Sequence, residues 1–114
     1  MSPQQIINKI TQCNIALTRG VTNVKTLSIN KAKAERDYKI KKRQKILELR
    51  LKKIPATLIN DLVLGDEEVA DLRLKRDIAN SDYFTALEAM QNLRLELESY
   101  RSILTWNRVE LKNT

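Results

Sequence analysis

Eleven basic residues fall within the 23 positions from Lys31 to Lys53, and only Glu35, Asp37 and Glu48 stand against them. Within that run Lys39, Lys41, Lys42, Arg43, Lys45, Arg50, Lys52 and Lys53 form the candidate nucleic-acid-binding set. Cations at this density neutralise phosphates without regard to base identity, and the counterions they release make such binding fall steeply with salt. Tyr38 is the only aromatic side chain among them, so stacking platforms for unpaired bases are scarce. The run also lacks the concentrated Trp, Phe and Leu face that membrane insertion needs. The same cations have a second reading, as a solvated helix face that complements acidic residues elsewhere in the chain.

Other chemistries lack their parts. With no histidine, one cysteine and two glycines, the chain holds no Ser-His or Cys-His pair, no thiolate or imidazole cluster for a metal and no glycine-rich phosphate loop. A non-enzymatic protein without cofactor or metal is expected. Asp66, Glu67, Glu68 and Asp71 could gather around a hard cation, but acids at a helix start are accounted for by the helix dipole. Cys13 reads as a small apolar residue on a helix seam, and a lone cysteine allows no internal disulfide.

The elements that position the basic run are helices. Two glycines and two prolines in 114 residues leave little material for tight turns, so a sandwich or barrel is disfavoured and one all-α domain over 1–114 is expected. From Asp66 to Leu111 the residues Val69, Leu72, Arg76, Ala79, Tyr83, Ala86, Met90, Leu93, Leu97, Tyr100, Leu104, Asn107 and Leu111 alternate spacings of three and four. That period keeps one stripe facing a partner helix, as in a coiled coil. Arg76 and Asn107 interrupt the stripe, either setting register or opening the seam.

Ser2, Pro3 and Gln5 spell a capped helix start. Ile6, Ile10, Cys13, Leu17, Val24 and Leu27 follow at helical spacing, with Gly20 a candidate break where the helix kinks, ends or runs on. The expected helices span about 3–19, 22–53 and 66–111. In the basic run the apolar pattern is scattered, and the seam is expected to slip near Tyr38 and continue as Ile40, Leu47, Leu51, Ile54 and Leu58. Pro55 ends the second helix. The connector over 54–65 holds a short turn capped by Thr57, whose apolar residues should plug the end of a bundle.

Charge favours folding the arms together. Residues 1–53 carry 14 Lys and Arg against 3 acids, and residues 54–114 carry 7 against 11. The expected fold is therefore an antiparallel helical hairpin, or coiled coil, with an additional N-terminal helix. Self-association through the last helix would instead prefer parallel pairing, Glu68 with Arg73 and Glu96 with Arg101. Leu74, Phe84, Leu95, Trp106 and Val109, with Ile78, point away from the seam and form a candidate interface for a partner protein or a second copy. A homo-oligomer is expected. No run of 18 apolar residues occurs and the first 30 residues lack a signal-peptide pattern, which reads as a soluble, intracellular protein off the membrane.

The succession Val63-Leu64-Gly65-Asp66-Glu67-Glu68-Val69, then Leu72-Arg73-Leu74-Lys75-Arg76-Asp77, then Tyr83, Ala86, Glu88 and Leu93-Arg94, between Ile46 and Trp106, resembles short helical proteins encoded in the replication and recombination regions of phages infecting Gram-positive bacteria. The resemblance implies an accessory role in phage DNA metabolism, in the cytoplasm of a bacterial host, and assigns no site residue.

Overall fold

The computed structural model describes residues 1–113 as three helices, α1 over Pro3–Leu51, α2 over Ala56–Leu64 and α3 over Glu67–Asn113. α1 and α3 run antiparallel, so the chain is an all-α helical hairpin. It divides into two compact units, a turn unit of Thr26–Tyr83 and a terminal unit of Met1–Lys25 with Phe84–Thr114.

The N-terminus of α1 is closed as its residue types predict. The Gln5 backbone N–H donates to Ser2 Oγ at 3.2 Å, and the Ser2 N–H donates to Gln5 Oε1 at 2.9 Å. This capping box satisfies two donors that a helix start otherwise leaves open. No break occurs at Gly20: the separate N-terminal helix expected from residue types is the first part of one 49-residue helix. Gly20 is half-buried on the seam, and a Cβ there would collide with Met90 Sδ. Its lack of a side chain makes room for Met90 and does not bend the helix.

At its other end α1 closes through backbone bonds. Lys53 adopts φ 59°, the Lys53 N–H donates to the Arg50 carbonyl at 3.0 Å and the Ile54 N–H to the Leu49 carbonyl at 3.1 Å. Those two bonds, with Ile54 packed against the cluster that holds Leu49, make a Schellman ending in which a lysine takes the left-handed position. Pro55 follows and is itself the N-cap of α2, so Thr57 lies inside α2 and does not cap it. α2 buries Ile59 and Val63 against Tyr38, Leu49 and Val69, with Ile46, Ile54 and Leu72 packed around them. Ile59 and Val63 form the plug expected of the connector, whereas Leu58 and Leu62, expected to share it, are exposed because they lie on the outer side of α2. α3 starts at an Asp66 cap, whose Oδ2 accepts the Val69 N–H at 3.2 Å, with Glu67 and Glu68 in its first turn.

The α3 seam follows the expected stripe: every residue from Val69 to Asn107 in that series is buried or half-buried, and Leu111 is exposed. In the terminal unit Ile6, Cys13, Met90 and Leu97 are its most enclosed members. The slip expected in α1 near Tyr38 does not occur. Ile40, Leu47, Leu51 and Leu58 are exposed, while Tyr38, Lys41, Lys42, Lys45, Ile46 and Leu49 carry the seam onward. Lysines can hold seam positions because their stems cover apolar surface while their ammonium groups reach out to partners. Apolar residues alone therefore mark the wrong face of this part of α1.

Candidate nucleic-acid interface

α1 sorts the basic run onto two faces. Lys41 and Lys45 flank the seam and turn to the acidic start of α3. Lys41 pairs with Glu68, and Lys45 Nζ lies 3.3 Å from Asp66 Oδ1 and 3.5 Å from Glu48 Oε2. The hydrogen bond from Lys41 to Glu68 and that from Lys45 to Asp66 raise each lysine above its usual range, against a smaller opposing effect of desolvation. Asp66 is held below the ordinary carboxylate range, first by the Val69 N–H and then by Lys45. Glu48 is lowered chiefly by its bond from Lys52.

Tyr38 is 6% exposed, so its ring belongs to the core and offers no platform to a base. Its inner face carries a cation already: the Arg76 guanidinium lies 4.4 Å from the ring centroid, and Lys42 Nζ lies 5.8 Å from it. Arg76 also bonds Asp77 at 3.0 Å and approaches Glu35 at 3.7 Å. The cation on the α3 seam is thus matched by groups on α1, and the seam stays closed there. Lys39 pairs with Glu35 and Lys52 with Glu48, each along its own helix.

The other face is open. Ile29, Lys33, Arg36, Ile40, Arg43, Leu47 and Arg50 follow one another at spacings of four and three, and all are exposed. At 3.6 residues per turn this stripe lies on the side of α1 away from the seam. Arg36 bonds its neighbour Asp37, and among the described residues no ion pair engages Lys33, Arg43, Arg50 or Lys53. Of the eight residues singled out from sequence, Lys41, Lys42 and Lys45 therefore face inward, Arg43 and Arg50 face outward, and Lys33 and Arg36 join them there. Their common spacing of four and three is visible in the sequence, but the seam register that tells which side of α1 they occupy is not.

The five candidate interface residues are exposed, from 44% at Val109 to 64% at Trp106. Leu74 belongs to the turn unit and Phe84, Leu95, Trp106 and Val109 to the terminal unit. Among the described residues no group of three His, Cys, Asp or Glu side chains could hold a metal ion, and no helix is long and apolar enough to cross a membrane. Cys13 is buried, and desolvation pushes its thiol up, so it is a core residue with little thiolate.

Fold and surface together define a helical hairpin with a coiled-coil seam and a cationic outer stripe. No protein-family model, no curated protein and no solved structure matches the chain.

Proposed function

We propose that this is a non-enzymatic accessory protein of the cytoplasm that oligomerises and binds the phosphate backbone of nucleic acid through the outer face of α1. The observation that carries the reading is the row Lys33, Arg36, Arg43 and Arg50, which faces away from the acidic start of α3. The inner lysines already answer Glu68 and Asp66 and add little to it. The resemblance to phage replication and recombination proteins supports a role in DNA metabolism of a phage-infected bacterium. A second reading, a protein-binding adaptor or inhibitor, is supported by the exposed Trp106, Leu95 and Val109.

Fluorescence anisotropy with a labelled duplex, repeated over a range of salt, tests the first reading. Reversing Arg36, Arg43 and Arg50 to Glu should weaken binding at least about tenfold and reduce the slope against log salt by about 0.9 for each phosphate no longer neutralised. Reversing Lys41 and Lys45 should do much less to the slope. Salt-indifferent affinity, or affinity untouched by the outward reversals, rejects it, and a protein partner released by Trp106→Ala would then decide for the adaptor.

A further inference from the structure

Among the described residues eighteen large apolar side chains are exposed against nine apolar residues buried, so pairing α1 with α3 leaves much apolar surface in water. In the turn unit, besides Leu51, Leu58 and Leu62 around the turn itself, that surface lies on two opposite sides. The side of α1 away from α3 carries Ile29, Ile40 and Leu47 in one stripe with Lys33, Arg36, Arg43 and Arg50. The side of α3 away from α1 carries Leu74 and Ile78, about one helical turn apart, with the exposed Asp71, Lys75 and Asp82 around them; Arg73 and Arg76 of the same stretch are half-buried, and Arg76 holds Asp77 at 3.0 Å.

Phosphate makes no use of Ile40 or Leu47, whereas a helix with apolar residues at the same period does. On α3 Leu74 and Ile78 supply two such residues four apart, flanked at the same period by the polar Asp71 and Ser81. The exposed charges also differ in sign, basic on α1 and, with Asp71 and Asp82 against Lys75, acidic by one on α3, which helps set which face meets which. Because the two stripes point in opposite directions, they cannot meet within one chain.

We propose that the basic, apolar outer face of α1 in one copy docks on the acidic, apolar outer face of α3 in a second copy. Unlike patches meet, so the contact is heterologous. Each association leaves one α1 face and one α3 face free, and growth continues past the dimer unless a ring closes. The inference does not depend on nucleic-acid binding, although it uses Arg36 and Arg43; a bound polyanion and a docked copy exclude one another.

Sedimentation equilibrium of the full chain over a wide concentration range tests it, with Arg36→Glu plus Arg43→Glu as one variant and Asp71→Lys plus Asp82→Lys as the other. All four sites are exposed, and circular dichroism checks that helicity is kept. Wild type should rise with concentration beyond twice the 13.2 kDa of one chain. Each variant alone should associate at least about tenfold more weakly, and the equimolar mixture should recover association because each supplies the face the other has reversed. If a reversal unfolds the chain, Ile40→Ser with Leu47→Ser and Leu74→Ser with Ile78→Ser replace the two variants, and their mixture should stop at a one-to-one pair. A monomeric wild type, a mass that stops at a fixed dimer, a variant that still associates normally, or a mixture that stays apart overturns the inference. Loss of duplex binding by the arginine variant with self-association intact overturns it too, while leaving the proposed function standing.

Discussion

In the turn unit, α1 is held to α3 by Lys41, Lys45 and Arg76, by the buried ring of Tyr38 and by the α2 plug, whereas in the terminal unit Ile6, Cys13, Met90 and Leu97 are buried and Gly20 lies against Met90, with no interhelix ion pair among the described residues. The contrast separates two ways of keeping a helix pair in register. Where seam positions hold lysine and arginine, register depends on acids placed opposite them and on a ring that a guanidinium can cover. Where they hold small and apolar groups, it depends on how closely the backbones approach. Side chains in the first set can be exchanged only with their partners; in the second, volume decides.

The sharpest way to break the comparison is at Tyr38. Tyr38→Ala removes a core ring that touches α2 and α3 and leaves Arg76 with no face to cover, so a loss of about 3 to 5 kcal/mol is expected from urea denaturation. Leu97→Ala, in the terminal unit, removes an apolar side chain with no charged dependant and should cost about 2 to 3 kcal/mol. Equal losses would mean that Arg76 and the plug add nothing to the turn unit.

Glycine sharpens it from both sides. In the turn unit Lys53 sits at φ 59°, where a Cβ is strained, so Lys53→Gly should stabilise the chain by about 1 kcal/mol. In the terminal unit Gly20 sits in a helix interior where alanine is preferred by about 1 kcal/mol, but its Cβ would strike Met90. Gly20→Ala should therefore yield its full gain only beside Met90→Ala, with a coupling of at least about 0.5 kcal/mol in a double-mutant cycle. Additive effects would show that Met90 moves aside without cost and that the glycine makes no room.

Much of this is legible in the residues, and what is not has a common cause. The α3 seam, the Ser2 and Gln5 capping box, the stop before Pro55 and the Asp66 start all follow from spacing or from single residue types with strong local preferences. Propensity misleads at Gly20 because it is a local quantity, and the Met90 side chain that needs the space lies 70 residues away. The slip expected near Tyr38 fails because apolar type does not by itself mean inward. Lys41, Lys42 and Lys45 are inward because acids or a ring await them, which no pattern within α1 reveals. Thr57 does not cap because Pro55, at φ −54°, takes the N-cap position two residues earlier, and no side chain caps α2. For the candidate interface the same gap matters most: charge density locates the run, but only the seam's true register separates the paired lysines from the outward arginines.

The smallest expected effect is electrostatic and should belong to the turn unit alone. Asp66 is lowered in the folded chain, so its contribution is present in full above its ordinary value of 3.8 and is lost as pH falls through the depressed folded value. Glu48 acts in the same sense. Lys41 and Lys45 are raised, so theirs is present below 10.5 and lost as pH rises through the folded values. Stability should accordingly be flat near neutrality and fall on both sides, and salt of about 1 M, where the Debye length is about 3 Å, should lower the plateau slightly. Asp66→Asn keeps an oxygen for the Val69 N–H but removes the charge facing Lys45, so the urea midpoint of this variant should change less between neutral and acid solution than that of the wild type. Hydrogen exchange resolved by residue should locate the acid-sensitive opening at the start of α3 and in α2, with the amides around Cys13 and Leu97 following only global unfolding. An acid response that is unchanged in Asp66→Asn, or that begins in the terminal unit, would show that the ion pairs at Lys41 and Lys45 do not hold the turn unit together.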